Sequence, residues 1–329
     1  MNRLKQTLLP VALVSAALML TACKPTFEFA IGLKPPAFDN AADTTYTDTQ
    51  YPIVLVHGMF GFGDILGINY FYQVPQALEA GGATVLIPTM SSLAGNELRG
   101  EQLLAQLQDY KANLGHQKFN LIAHSHGSPT ARYVASVAPE LVASISTAGG
   151  VNAMGSEKAA LLNDRLEGFF SSALLQPILN TMGLLIDAAQ TPENPLPQVA
   201  KDAFYTVGFE GAAAFNLQHP QGLPTVECGQ GPDEVNGVNY YSWGGIAIAT
   251  NSLDPTDRIL QATADLYEPG ESDGTMNRCA THLGKVIRDD YFLNHTDLSN
   301  QALGLRHPTS TNPLNIYRAH ANRMKTDGL

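Results

Sequence analysis

From residue 51 onward, short apolar runs rich in β-branched residues alternate with stretches of helical period, and few folds accept that alternation. Ile53-Val54-Leu55-Val56 lies between Pro52 and His57-Gly58, as expected of a strand buried on both faces. Residues 84–87 (Thr-Val-Leu-Ile), 119–123 (Phe-Asn-Leu-Ile-Ala) and 142–146 (Val-Ala-Ser-Ile-Ser) repeat the pattern. Between them, 74–79 reads as a short helix and 97–114 as a longer one, with Leu103, Leu104, Leu107 and Tyr110 on one stripe. Strands alternating with helices predict a mostly parallel sheet covered on both faces. Residues 240–243 (Tyr-Tyr-Ser-Trp) read as a later strand of that sheet. No linker interrupts the chain after residue 50, so 51–329 is expected to form one domain with a long excursion inserted before this strand.

The 329 residues carry a formal net charge of −11 and no dense Lys/Arg patch, which argues against a nucleic-acid binder. Hydrophobic residues make up 44 %, too many for a disordered chain, and no repeat of solenoid or propeller length is visible. Arg3 and Lys5 precede an apolar run over 8–20, too short to span a bilayer comfortably, so residues 1–22 are expected to be an export signal. The run ends in Leu20-Thr21-Ala22-Cys23, which resembles the lipobox of bacterial lipoproteins, whose Cys becomes the lipidated N-terminus. Three cysteines in an exported chain leave an odd one, and pairing Cys228 with Cys279 would leave Cys23 for a lipid. Residues 23–50 then read as a lipidated tether or arm, and the protein as anchored to the bacterial outer membrane or cell surface, or else secreted.

The chemistry starts at Ala123-His124-Ser125-His126-Gly127, a serine two residues past an apolar strand with small residues at −2 and +2. That is the pattern of a nucleophile elbow, where a tight strand-to-helix turn lifts the hydroxyl out of the sheet. Pro129 near the first turn of the following helix agrees with it. Such a serine needs two backbone N–H groups to hold an oxyanion. His126 supplies one, and Met59 the other, from the loop His57-Gly58-Met59-Phe60-Gly61 directly after the first strand. The acid and then the base should follow the serine along the chain. His57, His116, His124, His126 and His219 fit that order poorly, which leaves His282, His295, His307 and His320. For the acid, Asp254, Asp257, Asp265 and Asp273 all lie late enough, and Asp273 sits six residues before Cys279.

Several blocks in order carry a resemblance: residues 51–59 (Tyr-Pro-Ile-Val-Leu-Val-His-Gly-Met), 120–127, Cys228-Gly229, 236–243, Leu253-Asp254-Pro255 and 282–291. Over about 45–325 the chain resembles the Pseudomonas and Burkholderia group of secreted triacylglycerol lipases. The resemblance implies an α/β-hydrolase fold, with Ser125 as nucleophile, His295 as general base, Asp273 as acid, and Met59 and His126 as oxyanion donors. It pairs Cys228 with Cys279. It also implies a structural Ca2+ ion held by Asp254 and Asp297, with carbonyl oxygens of Gln301 and Leu305, an all-oxygen set suited to a hard cation. A dedicated membrane-bound foldase is the partner it suggests.

Residues 169–186 are apolar enough to cover most of a helix surface, and in the resembled group this region, about 160–215 here, carries a lid that opens at a lipid surface. Two departures stand out. Ala123 replaces the usual Gly, and Ala148-Gly-Gly-Val-Asn-Ala-Met-Gly-Ser156 lacks the Pro-His-Lys or Pro-His-Arg found there. The expected protein is a monomeric lipase acting on acylglycerols at a lipid–water interface. The alternatives are a polyester or poly-hydroxyalkanoate depolymerase using the same triad, and a catalytically idle lipid-binding surface lipoprotein.

Overall fold

The structure, a computed structural model, describes residues 37–65, 67–152, 175–190, 195–264 and 267–329. In chain order the main elements are β1 (Ile53–Val56), β2 (Asp64–Ile65), β3 (Ile68–Asn69), α1 (Val74–Glu79), β4 (Val85–Leu86), α2 (Asn96–Leu114), β5 (Phe119–His124), α3 (Gly127–Val137) and β6 (Val142–Ala148). They continue with α4 (Gln176–Gln190), α5 (Ala200–Val207), α6 (Phe209–Gln218), β7 (Glu234–Val235), β8 (Val238–Gly245), α7 (Pro255–Ala264), β9 (Lys285–Tyr291) and α8 (Pro313–Thr326). The signal and Cys23 lie outside the described residues, as do 153–174 of the excursion and Asp265.

Seven strands form one sheet in the order β4-β1-β5-β6-β8, with β7 and β9 both paired to β8. Every pairing is parallel except β7 with β8, so the C-terminal strand ends share one edge. This is the expected α/β-hydrolase architecture. β1, β5 and β6 are buried throughout, which is why they read as continuous apolar runs. On one face of the sheet Ile53, Leu55 and Trp243 pack with Leu78 of α1 and with Tyr317 and Met324 of α8. On the other, Val54, Val56, Leu121 and Ile145 pack with Leu103 and Leu107 of α2 and Ala131 and Val134 of α3. Burying a side chain such as Leu103 contributes about 1.5–3 kcal/mol.

Of the apolar stretch expected as a helix over 169–186, residues 169–174 lie outside the described residues and 176–186 belong to α4, which runs on to Gln190; α5 and α6 follow it. Residues 37–50, expected as part of a tether, are docked along α8. Asn312 Nδ2 donates to Ala37 O (2.7 Å), Thr47 N to Gly81 O (2.8 Å) and Gln50 N to Leu329 O (2.7 Å), while the Arg318 guanidinium lies over the Phe38 ring at 4.3 Å.

Candidate active site

Ser125 sits between the last residue of β5 and the first turn of α3, with φ at +55°. That left-handed conformation costs a non-glycine residue roughly 1 kcal/mol or more and must be imposed by its surroundings. Here Ser125 N donates to Ala148 O (3.2 Å), and Ser125 O accepts from Ser128 N (3.0 Å) and Val151 N (3.3 Å). The turn leaves no room beside it. A Cβ on Gly127 would overlap Val56 O, and one on Gly58 would come within 3.0 Å of Ser125 Cβ. Ala123 is fully buried at its place in β5, so the extra methyl at that departure is accommodated.

The loop after β1 passes close to Ser125. Gly61 N donates to Gly58 O (3.2 Å) and Phe60 N to Ser92 O (2.9 Å). Among the described residues no acceptor takes the amide of Met59 or of His126. Both loops are tied to one buried side chain that the motifs did not reveal. Arg99 donates from Nη2 to His57 O (2.6 Å), from Nη1 to Ser91 O and from Nε to Thr130 Oγ1 (3.1 Å), and Thr130 Oγ1 donates to His126 O (3.0 Å). Burial lowers the Arg99 pKa to about 10. A signal was available: the buried stripe of α2 extends back from Leu107 and Leu103 to Arg99 and Asn96.

The imidazoles around this loop are held neutral. Burial, and then the Arg99 charge, push His57 down to about 3; its Nδ1–H donates to Gly58 O (3.0 Å) and its Nε2 accepts from Met90 N (3.2 Å). His126, also well below its usual range through burial, bonds Asn96 Oδ1 through Nε2 at 2.8 Å.

On the other side of Ser125, His295 Nδ1 donates to Asp273 Oδ2 at 2.7 Å. Asp273 is fully buried, and its Oδ1 accepts from Thr275 N (2.9 Å) and Met276 N (2.7 Å). His295 Nε2 has no hydrogen-bond partner among the described residues. The pair abuts Gly149, where a Cβ would lie 3.0 Å from Asp273 Oδ2 and 3.3 Å from His295 Nδ1. Because Ser125 N bonds Ala148 O, the elbow and the His–Asp pair meet across one peptide unit. The Ser125 hydroxyl itself makes no hydrogen bond to His295 in this structure. His295 is also braced by the residue before the elbow. His124 Nε2–H donates to His295 O (2.8 Å), Tyr70 Oη donates to His124 Nδ1 (2.8 Å), and the two imidazole centroids are 4.6 Å apart.

The other candidate bases are occupied or remote. His282 uses both ring nitrogens, on Gly229 O (2.9 Å) and Asp289 Oδ2 (3.0 Å). His307 bonds Thr309 on the surface, and His320 is buried against Ser146. Of the four, His295 alone joins a carboxylate with a nitrogen to spare. Cys228 and Cys279 are joined by a disulfide just beyond the Asp273 loop.

Asp254 and Asp257 belong to a second acidic cluster with Asp297, two residues past His295. Thr256 N and Oγ1 both donate to Asp254 Oδ1 (2.7 Å each), Asn294 N donates to Asp297 Oδ2 (3.1 Å), and Thr250 N and Asn251 N donate to Asp257 Oδ2 (2.6 and 2.7 Å). Asp254 Oδ2 and Asp297 Oδ1 are buried without a hydrogen-bond partner. Burial raises Asp297 to about 7, with Asp254 and Asp257 adding to the shift, and Asp254 is raised as well. Among the described residues no group of three His, Cys, Asp or Glu side chains is placed to hold a metal. Two orphaned carboxylate oxygens fit a hard cation.

Over the loop after β1, Leu175 and Leu179 of the α4 region and Ala200, Ala203 and Phe204 of α5 pack with Leu93, Met59 and Phe60. The outer side of α4 exposes Ile178, Leu184 and Leu185.

Residues 51–247 match the family model described as the alpha/beta hydrolase fold. The chain is similar to a triacylglycerol lipase of Vibrio cholerae, 44 % identical over 293 residues that cover 86 % of this chain and 90 % of that protein. It is similar to a triacylglycerol lipase of Pseudomonas fragi, 43 % identical over 295 residues covering 86 % and 98 % of the two chains. Among solved structures, a metagenomic carboxyl esterase shares the fold with a TM-score of 0.55 at 16 % identity, over 90 % of this chain and 80 % of that one.

Proposed function

The chain belongs to the alpha/beta hydrolase fold family, within the triacylglycerol lipases, and from that premise we propose that it hydrolyses carboxylic esters of acylglycerols with Ser125, His295 and Asp273 as nucleophile, base and acid. The observation that carries the assignment is the Asp273–His295 hydrogen bond, which leaves Nε2 unused across one peptide unit from the strained Ser125 elbow. His295 Nε2 takes the Ser125 proton as Oγ attacks the ester carbonyl carbon, and Asp273 stabilises the imidazolium. The amides of Met59 and His126 hold the oxyanion, and each is worth about 100-fold or more in turnover. His295 then protonates the departing glycerol oxygen, and water, deprotonated in the same way, releases the fatty acid.

Emulsified triolein against a soluble short-chain ester tests the reading, with Ser125→Ala as control. The expected result is preferred hydrolysis of triolein and loss of about 10⁴-fold or more in the variant. Unchanged activity in Ser125→Ala would remove this nucleophile.

Asp254 and Asp297, with carbonyl oxygens of Gln301 and Leu305, are the proposed holders of a Ca2+ ion, supported by the two unpartnered carboxylate oxygens. When bound, the ion supplies positive charge to that cluster and fastens the segment that bears His295. The lipobox-like Leu20-Thr21-Ala22-Cys23 supports export and lipid anchoring through Cys23, to the outer membrane or cell surface, with plain secretion as the outcome if palmitate labelling does not depend on Cys23. A monomeric state and a membrane-bound foldase complete the proposal. Full activity on expression without a helper would remove that partner.

A further inference from the structure

Residues 37–50 fix where the described part of the chain begins on the fold. Asn312 Nδ2 donates to Ala37 O (2.7 Å), Arg318 Nη2 to Asn40 O (2.9 Å), Asn322 Nδ2 to Tyr46 O (2.9 Å), and Gln50 N to Leu329 O (2.7 Å). The segment therefore travels beside α8 from its start to beyond its end. β6 sets the direction of α8. Ser144 Oγ meets Met324 Sδ (3.4 Å) and Ser146 Oγ meets His320 Nε2 (2.6 Å), so two residues toward the C-terminal end of β6 correspond to four residues back along α8. The first turn of α8 thus lies at the Ser125 edge of the sheet. Tyr317 Oη donates to Leu298 O (3.0 Å), and Leu298 is the side chain that a Cβ on Gly149 would strike. Ala37, the first described residue, lies at that edge, while Gln50 and Leu329 lie at the opposite one.

We propose that lipid on Cys23 seats the protein with its Ser125 edge against the same bilayer that holds the anchor; this rests on the lipoprotein reading above. Residues 24–36 can span at most about 45 Å when fully drawn out. Running back down the length of α8 to the far edge would use about 21 Å of that reach, at a helical rise of 1.5 Å per residue. Turning the Ser125 edge to the bilayer uses none of it. Exposed apolar side chains stand on the loops there. Leu253, Phe292 and Leu303, on loops after β8, β9 and the His295 segment, are exposed, as are Ile178, Leu184 and Leu185 of α4, which covers the loop after β1. Such a rim gains by removal from water. No helix among the described residues is long and apolar enough to cross a membrane, so the contact is with the bilayer surface. The anchored enzyme accordingly draws its acylglycerol from its own membrane.

The test starts from the chain beginning at Cys23. With Cys228 and Cys279 joined, Cys23 is its single free thiol and can be coupled to a maleimide phospholipid in phosphatidylcholine vesicles that carry dioleoylglycerol. The comparison protein carries Cys23→Ser and a cysteine ending a short flexible extension after Leu329. The N-coupled protein should hydrolyse the acylglycerol of its own vesicle about tenfold faster or more, with equal rates on a soluble ester. Hydrogen exchange around Leu253, Phe292 and Leu303 should slow on coupling through Cys23 and not on coupling through the C-terminus. Equal vesicle rates, or unslowed exchange at that rim, overturn the orientation. Chemical coupling does not depend on acylation in the cell, which the intact mass of the cell-derived protein reads separately, and the exchange measurement does not depend on the lipase assignment.

Discussion

Arg99 Nη2 donates to the carbonyl oxygen of His57 over 2.6 Å, and among the described residues no carboxylate pairs with that guanidinium. A buried cation spent entirely on carbonyl and hydroxyl oxygens acts as a fastener between the loop bearing Met59 and the helix start bearing His126. Arg99→Met leaves those oxygens buried and unpaired, and should lower stability by about 2–4 kcal/mol. Arg99→Lys keeps the charge but loses the fork, so turnover should fall at least about tenfold with little change in fold, because small displacements of oxyanion donors are costly. Steady-state kinetics with thermal melting separates the two effects, and full turnover in Arg99→Lys would remove the fastening role.

Gly127 fits its place because any side chain there would strike the backbone of β1 at Val56. Gly127→Ala should destabilise by about 1–3 kcal/mol or more, through overpacking against an atom that cannot rotate away. Urea melts should show a lower midpoint with unchanged slope. An unchanged midpoint would mean that the elbow is looser than its contacts indicate.

Much of this arrangement is legible in the residues, for identifiable reasons. β1, β5 and β6 are buried on both faces and so read as apolar runs, and α1 carries both its expected bounds. β9 is not legible, because Lys285, Arg288, Asp289 and Asp290 interrupt any alternation on a strand paired along one side only. α8 hides its period in the same way: Arg318 and His320 are among its buried residues, each satisfied by oxygens that sequence cannot display. In the site, the strand-to-helix context exposes Ser125, but order along the chain leaves four histidines open. What separates His295 from His282 is how many ring nitrogens are already used, a property of contacts far apart in the chain.

Acid should weaken the fold through imidazoles that stay neutral inside it. His57 and His320 are held near 3, and His124 and His126 are also well below their usual value, all chiefly by burial. In the unfolded chain they protonate near 6.5, so the unfolded state binds more protons as pH falls from about 6.5 toward 3. His57 and His320 each remove up to about 1.4 kcal/mol per pH unit in that window, and His124 and His126 act in the same direction. Above pH 7 they are neutral in both states and contribute no slope. Stability measured at pH 7.5, 6 and 5 should fall steeply between the last two. A flat profile would mean that these imidazoles reach water.

Removal of divalent cations should act on stability before it acts on chemistry. Asp254 and Asp297 crowd negative charge against a segment that ends at the His295 loop, and burial raises both carboxyl groups. A bound cation at 100 times its dissociation constant adds about 2.7 kcal/mol to the folded state. EDTA should therefore lower the melting temperature by several degrees while initial rates at low temperature hold, with Ca2+ restoring the loss. Asp297→Asn should abolish the response to Ca2+, and a melting temperature indifferent to EDTA in the parent protein would remove the site.

Tyr70 reaches the base only through His124, its hydroxyl donating to His124 and His124 in turn donating to His295 O. The tautomer of His124 is fixed by this chain, since Nδ1 must accept and Nε2 must donate. Tyr70→Phe removes the donor and leaves His124 Nδ1 buried and unpaired, which costs about 1–3 kcal/mol. The His295 backbone should then lose its fixed distance from the elbow. Turnover should fall severalfold while KM for a soluble ester stays close to its parent value, because Tyr70 acts through position rather than contact with the reacting atoms. His124→Asn, with a shorter donor toward His295 O, should recover less than half of the parent turnover, and its combination with Tyr70→Phe should cost little beyond His124→Asn alone. Additive losses in that double variant would show that the two side chains act independently.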